Sequence, residues 1–304
     1  MNKALFIFSV VAAQLLTACS GKTSSETQNP SSQEEEDNTA QVVVLLGQSN
    51  MEGHTYINYL SKTMTDKASE YAEGYDDVQI SFWNSGTYTS NGLFTNVKLG
   101  QGRSQNHFGP EVGIAETMHS AHKKNVFIVK YAQGATSLSG HWRSPSSSNS
   151  GRPGALYAGA VEYILESMDV LENMGYYPEI KAICWMQGED DSNGNQYNSY
   201  YTYTKAFVSD LRDELRLYMD LDGIGFLDAA IAANEVWKEH EIINNAKIQN
   251  AAEDELSDFI DTNAEGLHTN YEPVGAVDIY HYDSDSMIKL GRLFGNVLKD
   301  KYID

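Results

Sequence analysis

The sequence predicts an α/β protein, a three-layer α/β/α sandwich around a mainly parallel sheet. Three observations lead there. Four apolar, β-branched runs are continuous rather than alternating, so each reads as a strand covered on both faces. Helical patterns separate these runs at the spacing of β-α-β units. Three of the four runs end in a polar, glycine-containing segment, and open parallel sheets gather functional residues at that edge.

Taken in order, Gln41-Val42-Val43-Val44-Leu45-Leu46 is the first strand, and Val78 to Phe82 reads as a further one. A helix is predicted over Pro110 to Lys123, with proline in the first turn, where its missing N–H has no helical partner to lose. Asn125 to Lys130 is the next strand. The helix Leu156 to Asn173 precedes the strand Ile180 to Trp185. The helix Tyr197 to Met219 precedes the strand Ile224 to Ile231. Helices over Asn234 to Ala252 and Ser284 to Leu298 close the chain. Tyr197, Tyr200, Tyr201 and Tyr203 are too many for one helix face, so some are expected to be exposed, for packing, for an interface or for stacking on a ligand.

The N-terminal residues read as targeting rather than structure. Met1 to Lys3 give a positive start, and Ala4 to Leu16 form an apolar run. That run is shorter than the roughly 20 residues a membrane-spanning helix needs. It ends in Leu16-Thr17-Ala18-Cys19, which resembles the lipobox of bacterial lipoproteins. The resemblance implies that residues 1–18 are a signal peptide and that Cys19 carries lipid. An ordinary secretory signal is the alternative. Residues 19–40, with Pro30 and the acidic run Glu34-Glu35-Glu36-Asp37, have little apolar to bury and read as a flexible tether. The expected location is extracytoplasmic, anchored by lipid to a bacterial membrane. Ser20 after the cysteine resembles the outer-membrane sorting pattern.

Residues 41–304 suit one large domain. The chain is 41% hydrophobic, enough for a substantial core, and its net charge is -21. That excess argues against a nucleic-acid partner, since phosphates need a basic surface. It makes a neutral or weakly charged polymer easier to accept than a strongly anionic one. The chain has two cysteines. With Cys19 lipidated, Cys184 has no disulfide partner and reads as a buried, inert thiol in an apolar run.

Ser49 follows the first strand directly, where a serine can present its oxygen at a cleft. It lacks the later glycine of the G-x-S-x-G elbow, and a helix N-cap is an equal reading of the serine alone. Asp278-Ile279-Tyr280-His281 supplies the rest. A carboxylate three residues before an imidazole can fix its tautomer while the other nitrogen takes the serine proton. Oxyanion donors are sought in the Ser49 N–H, the Gly134 N–H and the Gln187 side-chain amide, all after strand ends.

These residues carry a family resemblance. Gly47-Gln48-Ser49-Asn50-Met51-Glu52-Gly53 resembles the nucleophile block of the SGNH-hydrolase superfamily, in its sialate O-acetylesterase-like and carbohydrate esterase family 6 branch. Lys130 to Leu138, with Trp142, is similar to that branch's Gly-Gly-Thr-Ser block, though Ala135 replaces the second glycine. Trp185-Met186-Gln187-Gly188-Glu189-Asp190-Asp191 resembles its Trp-x-Gln-Gly-Glu-x-Asp block. Asp278 to His281, followed by Leu290-Gly291, resembles its closing Asp-x-x-His block. The four blocks keep the family's order from Gln41 to the end. The resemblance implies a flavodoxin-like sandwich, no metal or cofactor, and removal of acetyl groups from carbohydrate. It puts the nucleophile on Ser49, the acid and base on Asp278 and His281, and oxyanion roles on Ser49, Gly134 and Gln187. The methyl of Ala135 leaves open whether Gly134 or Ala135 donates.

Several further residues compete for roles. Glu265-Gly266-Leu267-His268 repeats the Asp-x-x-His spacing, but in an irregular stretch. His119 and His122 have a metal-binding interval but no evident third ligand. Glu111, His141, Trp142 and Glu189 are candidate substrate contacts, with Trp142 and His141 the candidates for sugar stacking. Arg103 is a further candidate, but structural support is the first reading of it and of Glu111, and hydrogen bonds to nearby loops are the first reading of Glu189. Asp191 is expected to cap the helix near Tyr197. The reading is a serine esterase on acetylated glycans. A tethered glycan-binding protein without turnover, or a lipase or thioesterase of the same superfamily, are the alternatives.

Overall fold

The computed structural model describes residues 38–269, 272 and 277–304. The expected signal segment, Cys19 and the expected tether as far as Asp37 lie outside the described residues. The domain begins earlier than its apolar run suggests. Thr39 and Ala40, assigned to the tether above, already pair with Tyr177 and Pro178, and Ala40 is fully buried.

β1 (Thr39–Gly47) runs into the single-turn helix α1 (Ser49–Glu52). Then come β2 (Thr55–Tyr56), α2 (Ile57–Thr63), α3 (Ala68–Glu73) and β3 (Tyr75–Asn84). Short strands β4 (Tyr88–Thr89), β5 (Thr95–Val97) and β6 (His107–Phe108) precede α4 (Glu111–Ser120) and β7 (Val126–Ala132). α5 (Ala155–Asn173) leads to β8 (Tyr177–Met186), then α6 (Glu189–Asn193) and α7 (Tyr200–Glu214). β9 (Gly225–Ala229), α8 (His240–Glu253), β10 (Ser257–Ile260) and α9 (Ser284–Lys301) complete the chain.

The main sheet runs β10-β9-β8-β1-β7-β3-β4, with β5 also on β3. From β10 to β3 every pairing is parallel; β4 and β5 are antiparallel additions. β1 is therefore central. The chain leaves it first for β3 on one side and returns through β7 before crossing to β8. Such a switch point opens a crevice beyond the strand ends. Val42 to Leu46 are fully sealed from solvent, and all of β7 is buried. This explains why both strands read as continuous apolar runs.

Three elements differ from expectation. The helix sought over Tyr197 to Met219 is α7 flanked by single 3-10 turns at Tyr197–Ser199 and Arg216–Tyr218. Residues 234–239 are loop, because the Asn234 side chain accepts the Val236 N–H and closes a turn before α8. β10 escapes the apolar pattern because it is an edge strand with Asp258 among its residues. Among the described residues, no helix is long and apolar enough to cross a membrane.

α9 packs on α4 through glycines. A Cβ at Gly291 would lie 2.2 Å from the Pro110 carbonyl oxygen and 2.7 Å from the Gly113 Cα. Arg292 then reaches the Glu116 carboxylate at 2.7 Å. The Leu290-Gly291 pair is thus a packing device that seats the helix starting just after His281. Gly291→Val should cost ~3 kcal/mol or more, the upper end of overpacking effects, in a urea unfolding experiment. A stability equal to wild type would show that the two helices can separate freely.

Candidate active site

A cleft of about 580 Å³ opens beyond the carboxyl ends of the parallel strands. β1 delivers Gln48 and Ser49 to it, β3 delivers Ser85 and Thr87, and β7 delivers Gly134 and Ala135. Asp190 comes from the segment after β8 and Trp237 from the loop after β9. Tyr280 and His281 arrive from the segment before α9. Glu52, His54 and Arg103 complete the lining.

Ser49 is the first residue of α1, held in place from both sides. The Gln48 N–H donates to the Met186 carbonyl on the neighbouring strand at 3.0 Å, and the Gly53 N–H donates to the Ser49 carbonyl at 2.9 Å. No acceptor for the Ser49 N–H is found among the described residues. The next residue, Asn50, is the tie to the far end of the chain. Its amide donates to Glu189 at 3.0 Å and to the Tyr280 carbonyl at 3.4 Å, and its side-chain oxygen accepts the Tyr282 N–H at 3.2 Å. His281 lies between those two anchored residues.

The Asp278 carboxylate shapes the turn that carries His281. One oxygen accepts the Tyr280 N–H at 2.9 Å, and the other sits 2.6 Å from His281 Nδ1. Burial pushes the Asp278 carboxyl up, but the bond and the charge of His281 hold it below the usual aspartate range. An ionised Asp278 places the imidazole proton on Nδ1 and leaves Nε2 as the lone-pair nitrogen. The structure therefore puts Ser49 and His281 on the lining of one cleft, with Asp278 bonded to His281.

Two expected oxyanion donors are otherwise engaged. The Gly134 N–H donates to the Glu52 carboxylate at 2.8 Å. The Gln187 amide is fully buried and donates to the Thr136 carbonyl at 2.8 Å and to Asp191 at 2.7 Å. Neither donor is free for an oxyanion, for the same reason: a buried carboxylate or carbonyl nearby claims it. Ala135 lines the cleft in a left-handed conformation, φ 55°. Its N–H has no acceptor among the described residues.

Glu111 and Glu189 take the structural roles that are their first readings, and His141 and Trp142 also stay out of the cleft. Glu111 is fully buried, paired at 2.9 Å with the equally buried Lys130, and accepts the Gly109 N–H. Trp142 is fully buried, donates to Thr136 Oγ at 3.0 Å and packs edge-on against Trp185. His141 folds onto its own turn, its Nδ1 accepting the Ser137 N–H at 3.1 Å. Glu189 is fully buried against Asn50, and that burial pushes its carboxyl up. None of the four lines the cleft.

Other sequence alternatives resolve similarly. Asp191 caps no later helix; it sits within α6 and accepts the Leu138 and Ser139 N–H groups at 2.6 and 3.0 Å. His268 is exposed and outside the cleft. His119 pairs with Asp77 at 2.7 Å, and among the described residues no cluster could hold a metal ion. Cys184 is fully buried. The residues least visible in the sequence are His54, Thr87, Trp237 and Tyr280. A signal existed for the first, since Glu52 and His54 repeat a carboxylate–imidazole pairing within the Ser49 block.

Comparison with known proteins fits this geometry. Residues 39–300 match the family described as carbohydrate esterase, sialic acid-specific acetylesterase. The chain belongs to this family. Among curated proteins, none matches it. A solved Arabidopsis thaliana protein shares the fold at TM-score 0.61 and 20% identity, covering 86% of this chain and 99% of its own. The NanS structure aligns at TM-score 0.58 and 13% identity, over 87% of this chain and 98% of its own. A carbohydrate acetylesterase from Xanthomonas citri aligns at TM-score 0.54 and 14% identity, over 85% of this chain but 56% of its own.

The Glu111–Lys130 pair makes a direct prediction. Glu111→Ala leaves a buried ammonium without its partner and should destabilise the family member by ~3–5 kcal/mol in chemical denaturation. A loss below ~1 kcal/mol would mean that the pair is not buried in solution.

Proposed function

We propose that the protein is a serine esterase that removes O-acetyl groups from a carbohydrate. The observation that carries this is that Ser49 and the Asp278-bonded His281 line one cleft. Family membership supplies the carbohydrate.

In this mechanism His281 Nε2 takes the Ser49 proton as the oxygen attacks the acetyl carbonyl. Asp278 holds Nδ1–H and stabilises the imidazolium. The negative oxygen that forms is met by the Ser49 N–H and the Ala135 N–H, two donors without competing acceptors among the described residues. His281 then passes its proton to the leaving sugar oxygen, breaking the bond to the acetyl carbon. Water, deprotonated by His281, releases acetate and restores Ser49. The lining favours a small acyl group. Trp237 and Tyr280 are its large apolar side chains, they lie together with ring centroids 5.5 Å apart, and the rest is mostly polar. That aromatic pair takes the sugar-stacking role once sought at Trp142.

We further propose that the domain works outside the cytoplasm, held to a bacterial membrane by lipid on Cys19. Two outcomes test these readings. Ser49→Ala should lower turnover of an acetylated sugar by about 10^4-fold or more, judged by acetate release; retained turnover would reject Ser49 as nucleophile. Cys19→Ala should move the protein from the membrane to the soluble fraction of a bacterial host, and an unchanged distribution would reject the anchor.

A further inference from the structure

A second carboxylate–imidazole pair stands beside Ser49. Glu52, the last residue of α1, is 1% exposed, and His54 follows two residues later. Glu52 Oε2 lies 2.9 Å from His54 Nε2 and accepts the Gly134 N–H at 2.8 Å, while Oε1 accepts the Ser85 hydroxyl at 2.5 Å. One carboxylate thus binds donors from the loops after β1, β3 and β7. On its other side the His54 ring lies 4.5 Å from the His281 ring, centroid to centroid, tilted by 34°. The pair spans the interval between the glycine loop and His281.

This contact also accounts for Gly134. A Cβ there would stand 3.1 Å from Glu52 Oε2 and 3.2 Å from His54 Nε2. A side chain at this position would crowd the pair on which the loop closes. With the Gly134 N–H fixed, the chain turns through Ala135 in a conformation that side chains rarely adopt, which persists only where neighbours over-determine it.

We propose that Glu52 and His54 are positioning residues for acyl transfer: the carboxylate fixes the 133–137 loop so that the Ala135 N–H faces the oxyanion, and the His54 ring holds the His281 imidazole at its working angle. The inference rests on the esterase reading above. A carboxylate suits the task because hydrogen bonds to an ionised acceptor are shorter and stronger than neutral ones. Burial pushes the Glu52 carboxyl up, but its bonds to His54 and Ser85 hold it below the ordinary value, so it is an anion. Burial also lowers His54, against the raising effect of Glu52. A neutral His54 can donate to Glu52 without setting a cation against His281, which must itself become positive. The groups that face His54 are Glu52, Arg103 and His281, with His107 at a 6.5 Å ring distance.

The test uses the purified full chain hydrolysing 4-nitrophenyl acetate. Glu52→Gln keeps the shape and removes the charge. It should lower kcat about a hundredfold, the scale of a 1 Å misplacement, and leave KM within about threefold. His54→Ala should lower kcat about tenfold, and His54→Phe, which restores a ring against His281, should recover part of that loss. Glu52→Gln with kcat within about twofold of wild type would overturn the proposal. So would a loss confined to KM, or a melting temperature that falls while kcat per folded molecule is kept. If Glu52→Gln does not fold, the comparison of the two His54 variants decides, and equal losses in both would count against it. A wild-type protein inert on every acetyl ester would instead sink the esterase reading itself.

Discussion

The placement of His281 near Ser49 depends on Asn50 being hydrogen-bonded to both the middle and the end of the chain. Its amide serves Glu189 after β8, and its carbonyl oxygen holds Tyr282, 232 residues away in sequence. Thr55 reinforces the tie by donating to the Tyr282 carbonyl at 2.8 Å. Glu189 is fully buried, so it needs donors, and losing one would leave a desolvated carboxyl without compensation. The requirement of a buried acid is therefore what anchors the turn bearing His281 to the helix bearing Ser49. α9, seated on α4 through Gly113 and Gly291, fixes the same turn from its other end.

Around that tie the electrostatics of the site and of the whole chain diverge. The protein carries a net charge of -21, yet His54, His281 and Arg103 share one cleft. Two acidic groups at the site are held as partners: Glu52 faces His54, and Asp278 faces His281. Beneath the cleft, Lys130 and Glu111 neutralise one another in the core, and Lys130 also donates to the carbonyls of Glu52 and Gln101. That arrangement supports the loops from below while their tips stay free for chemistry. It is also why Glu111 does not reach substrate.

Much of the fold was legible in the sequence because its signals are local. Runs such as Val42 to Leu46 are apolar on both faces, and that pattern survives any detail of packing. The strands were underestimated at their ends, since Thr39, Ala40, Gly47 and Tyr177 owe their extension to pairing rather than to composition. Edge elements such as β10 were missed for the same reason. In the site, the strand-end position of Ser49 and the spacing of Asp278 and His281 were readable. The fate of Gly134, Gln187 and Trp142 was not. Each was placed in the right loop and given the wrong partner, because one loop presents several polar groups and the sequence does not say which one turns inward.

The sequence by itself determined the layer architecture, the central strand, the serine at its end and the Asp-to-His spacing. These follow from periodicity and from distances along the chain. Only the tertiary structure decided which N–H groups remain without acceptors, that Glu52 claims Gly134, that a second histidine ring lies tilted beside His281, and that Trp237 and Tyr280 form the aromatic wall. Such choices turn on competition among donors and acceptors brought together from distant segments. A hydrogen bond goes to whichever acceptor packing delivers at about 2.8 Å, and that delivery depends on the whole fold.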